Sequence, residues 1–297
     1  MTSYPNAEYL LHQPYFDCTP VVGQQYRQLL AARCGEVAAA TVGMSDPNVS
    51  IVIRARNERE HLERLLCGVN AQLFGGEVQT IVVYSGSSDG TKETAREYGA
   101  EIVGINQTEY SHPKALNLGF EAADHPYVMT LVAHATLTNR LALRGVTRWA
   151  RDEEFAGAYG AALPDSRASV WERGVAIGQR LSRRLGPAGP INEWQPGAMV
   201  THRSVLAKTA WTAMRGYDLA YGSGGEDTDM ARRLLAVGMH IVREPVLSIF
   251  HSHALNLVGT VRQSLEYRRL RTGNPRPFNQ DSLGYRTDLD LGSNQVI

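Results

Sequence analysis

No stretch of this 297-residue sequence approaches the roughly 20 consecutive apolar residues that a bilayer-spanning helix needs. The opening segment MTSYPNAEYLLHQPYFD lacks a basic stretch followed by an apolar core, so no secretory leader is expected there. Surplus charge of either sign is missing as well, with Lys plus Arg and Asp plus Glu at 30 each. Nothing global therefore favours nucleic acid or an anionic membrane as a partner. Cysteine is scarce. Cys18, Cys34 and Cys67 form an odd, scattered set that argues against a disulfide framework, and no CxxC pair offers a zinc site. A cytoplasmic location and substrates that arrive through water are the expectation. Internal repeats and low-complexity tracts are absent. No GxGxxG follows the first strand-like run, which argues against a dehydrogenase.

What is present is an ordinary globular composition, 43% hydrophobic and 20% charged, in a chain long enough for one large domain or two modest ones. Residues 21–42 carry good helix formers and an apolar stripe. After Asp46-Pro47-Asn48 the pattern alternates. Strands are expected at SIVIRA, TIVVYS, EIVGI and YVMTLVAH, and helices at 58–72, TKETAREYG and KALNLGFEAA. Strands separated by helices mean an α/β fold, a mostly parallel sheet flanked by helices. Ligands of such sheets sit beyond the carboxyl ends of the strands, here around Ala55–Glu58, Tyr84–Asp89 and Ala133–Thr136.

The second half is less regular. Helices are expected over 137–152, from Trp171 to Arg184 with Arg173, Arg180, Arg183 and Arg184, over SVLAKTAW, from Glu226, and in basic SLEYRRLRTG. Strands are expected in GAYGAAL, PGAMVTHR and HIVREPVLSIFHSH. The proposed division is an N-terminal extension with a helix over 1–48, a main domain over 49–270 with halves 49–137 and 138–270, and a polar tail over 271–297 that resembles a clasp.

Several short blocks carry chemistry, each beside a purely structural alternative. At the end of the first strand, Asn57 can cap the next helix and Glu58 can sit in its first turn, while Arg54 and Arg56 offer planar donor forks to phosphate. SGSSDGT is a turn of small residues that lets backbone approach a ligand, and Asp89 can cap the helix after Gly90. Lys114 is either solvated or paired with phosphate. Glu226, Asp227 and Asp229 complement a helix dipole or supply a base. Trp194 either packs in the core or stacks on a sugar ring.

Five blocks, IVIRARNE, IVVYSGSSDGT, HPKALNLGFEAA, LVAHAT and GGEDTDMARRL, follow the order found in family 2 glycosyltransferases of the GT-A fold. The chain resembles the rhamnosyltransferase-like subgroup from about Ser50 to Arg269. The resemblance implies that Ala55, Arg56, Asn57, Glu58, Tyr84, Ser85, Gly86, Ser87, Asp89, Lys114, Asn117, Ala133, His134 and Ala135 surround a nucleotide sugar. It implies that Trp194, Gln195 and Gly225 meet sugar or acceptor. Asp227, with Glu226 beside it, corresponds to the general base of inverting members. His251 and His253 match a late HxH element that faces the diphosphate or orders the closing tail.

Two family acids are absent. Tyr84 stands where an acid reads the base, so uridine is no longer presumed and GDP joins UDP as donor nucleotide. His134 stands where an acid holds Mg²⁺ or Mn²⁺, and imidazole is a poor Mg²⁺ ligand though usable for Mn²⁺. The resemblance, so altered, implies inverting, metal-independent transfer to a soluble small-molecule acceptor through an O or S nucleophile, with His134, Lys114 and arginines stabilising the leaving diphosphate; no metal ligand is assigned, and Mn²⁺ or Mg²⁺ is left open as a cofactor. The alternative is a catalytically silent relative that binds nucleotide sugar as a regulatory or partner subunit. A homodimer is compatible with either. A nucleotidyltransferase would need acids for two metals, which the crevice lacks.

Overall fold

The computed structural model describes residues 10–11, 19–165, 167–171, 173–174, 185–195, 197–222, 224–253, 257–259, 261 and 265. Arg180, Arg183, Arg184, most of the first 18 residues, most of SLEYRRLRTG and the 271–297 tail lie outside the described residues.

The first half follows the expected alternation: β1 (Val49–Ala55), α2 (Arg59–Asn70), β2 (Val78–Tyr84), α3 (Thr91–Glu97), β3 (Glu101–Gly104), α4 (His112–Ala122) and β4 (Tyr127–Val132), preceded by α1 (Thr19–Ala40). β1 is buried from Val49 to Ile53, as a strand covered on both faces must be. Leu62, Leu65, Leu66 and Val69 of α2 close one face. α4 closes the other so tightly that a Cβ on Gly119 would lie 2.3 Å from Val52 Cγ1. β1 pairs in parallel with β2 and β4, and β2 with β3, so Ala55, Tyr84 and Val132 end at one rim.

The second half joins the same sheet. β6 (Phe155–Tyr159), β8 (Gly189–Ile191), β9 (Ser204–Ala207) and β10 (His240–Arg243) complete eight strands in the order β3-β2-β1-β4-β9-β6-β10-β8. β9 runs antiparallel to both β4 and β6. A small second sheet is made of β5 (Thr136–Leu137), β7 (Ala162–Leu163) and β11 (Ile249–Phe250), with β11 in the middle. The buried face of α1, Leu30, Cys34, Val37 and Ala38, packs with Leu163, Val246 and Phe250 behind it.

Four expectations are corrected. The helix over 137–152 is reduced to Arg144–Thr147, because side chains satisfy the backbone instead. The Asn139 Oδ1 accepts from the Leu141 amide, and the Gln72 amide group bonds to Asn139 O and Leu143 N. The strand of GAYGAAL splits into β6 and β7 at Gly160, where a Cβ would meet the Leu247 carbonyl carbon at 2.3 Å. Of the strand expected at PGAMVTHR, the described residues 197–203 form turns, with Gly197 and Met199 at positive φ, and the strand is the following SVLA, which tertiary burial takes from the expected helix. Only Lys208–Ala213 of that helix remains.

Candidate active site

The turns after β1 and β2 are laced to each other. Asn57 takes a left-handed conformation (φ 52°), which asparagine tolerates. Its amide donates to Ser87 Oγ at 2.9 Å, and its side-chain oxygen accepts from the Ser88 amide at 3.1 Å. The Glu58 amide donates to Thr91 Oγ1 at 3.0 Å. Asp89 accepts from the amides of Arg59 (3.0 Å) and Thr91 (3.1 Å), so one carboxylate serves the starts of both α2 and α3. Slight burial raises the Asp89 pKa, but these hydrogen bonds prevail and hold it below the usual range. The Tyr84 hydroxyl sits inside its own turn, accepting from the Ser87 amide at 2.7 Å and donating to Ser87 O at 3.0 Å. Ser85 is buried beneath, and Gly86 supplies a positive φ of 80°.

On α4, Ser111 caps the helix and Lys114 pairs with Glu109 at 2.6 Å. Asn117 corrects an expectation. It is fully buried, donates to Tyr217 O at 2.9 Å, and accepts from Tyr217 N (2.8 Å) and Trp211 Nε1 (3.2 Å). Its amide joins α4 to the second half rather than reaching the crevice.

Antiparallel pairing of β5 with β11 sets Phe250 opposite Thr136, which brings the Ala133-His134-Ala135 strand end against His251. His134, His251 and His253 place ligand nitrogens within 4.8 Å of one another. His134 Nε2 is 3.1 Å from His251 Nε2, and His134 Nδ1 is 2.8 Å from Glu58 Oε1. The other Glu58 oxygen, Oε2, lies 2.6 Å from His61 Nδ1. Burial pushes the Glu58 pKa up, yet the two imidazole hydrogen bonds outweigh it and hold the carboxyl low. Both oxygens are thus turned to imidazoles. His202 stacks on His251 at 4.5 Å and 13°, and Arg203 Nη1 donates to His202 Nε2 at 2.8 Å. Burial first, then His134 and His253, push the His251 pKa down to about 2.

Beyond His202 lies an acidic corner at the start of α5 (Glu226–Ala236). Gly225 is its N-cap at φ 99°, packed so that a Cβ would lie 2.9 Å from Tyr221 Cδ1. Glu226 is 2% exposed, its Oε2 has no hydrogen-bond partner, and Oε1 is 3.8 Å from His112 Nδ1. Burial, then the Asp227 charge, raise its pKa to about 7 against the pull of Arg54. The half-buried Asp227 accepts from the Thr228 amide at 2.6 Å, and burial raises its pKa too, opposed by Arg203 and Arg54. Burial, then Arg54, push the His112 pKa down to about 4. Arg54 donates to Thr201 Oγ1 at 3.5 Å, and its buried Nε has no hydrogen-bond partner. Asp229 belongs elsewhere: it pairs with buried Arg233 at 2.8 Å.

Trp194 is partly buried with the Arg232 guanidinium 4.7 Å from its ring, and its Nε1 has no partner. Gln195 is exposed and accepts from the Ala198 amide in the turn. Sequence reasoning passed over His61, His112, Thr201, His202 and Arg203. His112 opens the HPKALNLGFEAA block, and Thr201-His202-Arg203 immediately precedes β9, so both were visible as motif neighbours.

The sequence profile of the family described as Glycosyl transferase family 2 matches residues 50–206. The succinoglycan biosynthesis protein ExoA of Rhizobium meliloti (strain 1021) is 26% identical over 238 residues, spanning 75% of this chain and 69% of that protein. Among solved structures, the mannosyltransferase PcManGT of Pyrobaculum calidifontis, in complex with GDP-Man and Mn²⁺, superposes with a TM-score of 0.56 at 18% identity over 88% of this chain and 79% of that one. S. aureus TarS 1–349 in complex with UDP gives 0.58 at 13% identity over 75% of this chain and 64% of that one. These two establish a shared fold.

Proposed function

The chain belongs to glycosyl transferase family 2 and is a GT-A glycosyltransferase using nucleotide sugars, and from that premise we propose that it inverts the anomeric centre in transferring the sugar to a soluble small molecule, with Asp227 as general base. The observation that carries this reading is the Glu226–Asp227 pair, two carboxylates of raised pKa at one helix start, facing Arg54 and Arg203. A pair of this kind resists double ionisation, so one negative charge is held where a proton is to be taken up. In the step, the acceptor O–H or S–H passes its proton to the Asp227 carboxylate. The freed lone pair forms the bond to the anomeric carbon. The bond from that carbon to the diphosphate oxygen breaks, and its electrons leave with the diphosphate. A base of raised pKa makes the first transfer more favourable. A thiol acceptor is more acidic and asks less of Asp227.

The donor is proposed to lie along Arg56, Asn57 and the Ser85–Ser87 turn, where small residues admit close backbone approach. Tyr84, its hydroxyl engaged within that turn, offers no carboxylate to a base. GDP and UDP both remain donors under this reading, and the balanced charge supports a cytoplasmic, small-molecule acceptor rather than a polyanion. Considered alone, His134 in place of the family acid implies transfer without a metal. Its two histidine neighbours alter that ground, since three imidazoles are themselves a ligand set.

The test is a panel of GDP, UDP and TDP sugars assayed for product and for nucleotide-induced thermal stabilisation. Stabilisation by GDP or UDP, together with turnover that Asp227→Asn abolishes, is expected. Full turnover in Asp227→Asn removes it as the base.

A further inference from the structure

A divalent ion on a sugar diphosphate is ordinarily held by oxygens, and the residues here do not fit that pattern. Hard cations such as Mg²⁺ demand carboxylate, carbonyl and water ligands, whereas imidazole suits zinc and its neighbours late in the first transition row. The nearest carboxylate, Glu58, has each oxygen bonded to a histidine. What faces inward is nitrogen from His134, His251 and His253.

We propose that His134, His251 and His253 form a nitrogen-rich site for a late first-row divalent cation of the zinc or cobalt class, which binds in preference to Mg²⁺ and without any nucleotide. Several features meet there. A carboxylate only accepts, so a neutral His134 carries its proton on Nδ1 toward Glu58 and presents a bare Nε2. That arrangement, a carboxylate behind an imidazole, is how ligating histidines are oriented and made more basic. Glu58 is in turn fixed from its other side: Arg167 Nη1 lies 2.6 Å from His61 Nε2, and His61 Nδ1 meets Glu58. The bare His134 nitrogen then confronts His251 Nε2 at 3.1 Å, a contact that an N–H···N hydrogen bond from the His251 Nε2–H tautomer satisfies in the empty site and that a cation replaces once both nitrogens are bare. Ligand nitrogens around one tetrahedral zinc, bound at about 2.0–2.1 Å, are separated by roughly 3.3 Å, close to this spacing. His253 is exposed and sits at the open side, where its ring can complete the set. His202, stacked on His251, closes the opposite side with its own Nε2 already occupied by Arg203.

Metal binding by the full-length protein, free of nucleotide, tests the proposal separately from the transfer reaction. Equilibrium dialysis against Zn²⁺, Co²⁺, Mn²⁺ and Mg²⁺, with metal content measured, is expected to retain about one equivalent of zinc or cobalt and no Mg²⁺. The bound Co²⁺ should show the visible bands of a nitrogen-rich, low-coordinate ion. His251→Ala should abolish retention, and exposed His253→Ala should weaken it without disturbing the fold. As a positioning residue, Glu58→Gln should weaken affinity roughly 10–100-fold. His134→Asp should move the preference toward Mn²⁺. Failure of the wild-type protein to retain zinc or cobalt overturns the proposal. So does Mg²⁺ binding as tightly as zinc, or wild-type affinity in a folded His253→Ala protein.

Discussion

The two turns that follow β1 and β2 and the acidic corner at the head of α5 lie at the same end of one sheet, and they treat polar groups in opposite ways. In the turns every side chain named has a partner: Asn57 with Ser87 and Ser88, Asp89 with two helix starts, Tyr84 with Ser87. At the corner, Arg54 Nε and Glu226 Oε2 are buried without hydrogen-bond partners, and both acids have raised pKa values. Satisfied networks fix shape, and buried charges left short of partners are costly unless something else retains them. The difference points to a rigid frame for the donor in the first region and to proton chemistry in the second.

Mutation of the corner should separate rate from stability. Asp227→Asn is expected to lower kcat by roughly 10²–10⁴-fold while nucleotide-induced stabilisation persists, measured by initial rates and thermal unfolding. Glu226→Gln probes the other acid. The folded Glu226 pKa, about 7, lies above its ordinary 4.5, so the folded state holds this proton to higher pH than the unfolded chain does. Its stabilising contribution is therefore complete below pH 4.5 and is lost as pH rises through about 7. Glu226→Gln should remove part of that fall in unfolding free energy, and Asp227, Asp229 and buried Glu244, whose pKa values are also raised, should keep the remainder. An unchanged pH profile would count against a raised Glu226 pKa.

The turns should respond in the reverse sense. Asp89→Ala removes the side chain shared by two helix starts, and is expected to cost about 1–2 kcal/mol in chemical denaturation with kcat nearly intact. Tyr84→Phe deletes one hydroxyl from a peptide turn, and about 1 kcal/mol or less is expected. A kcat loss from either variant as large as that of Asp227→Asn would erase the contrast between the regions.

The strand and helix order of the first half was legible because β1 centres on the β-branched run Ile51-Val52-Ile53 and α2 repeats its leucines at helical spacing. The same period misled in SVLAKTAW, where β4 and β6 claim Ser204–Ala207 as a strand between them. The acid pair at Glu226 was legible as a motif, and its burial was not, since that depends on Arg54 and His112 arriving from distant elements. Asn117 was misread because a match to a family position says nothing of whether the amide faces ligand or core. Glu58 was found, but its orientation depends on His61 and His134, residues separated by β2, β3 and β4.

The short pairing of Thr136–Leu137 with Ile249–Phe250 has a temporal consequence. Contacts between residues so far apart in sequence close large loops and form slowly relative to local ones. β1 to β4 can assemble as soon as they leave the ribosome, but the three histidines cannot converge until residues 249–253 have been synthesised and docked. Between the synthesis of His134 and that of His251 a nascent chain therefore carries one imidazole of the cluster, not three. Convergence of the histidines is thus a late marker of the finished fold, and pulse-labelling hydrogen exchange at β11 would date it.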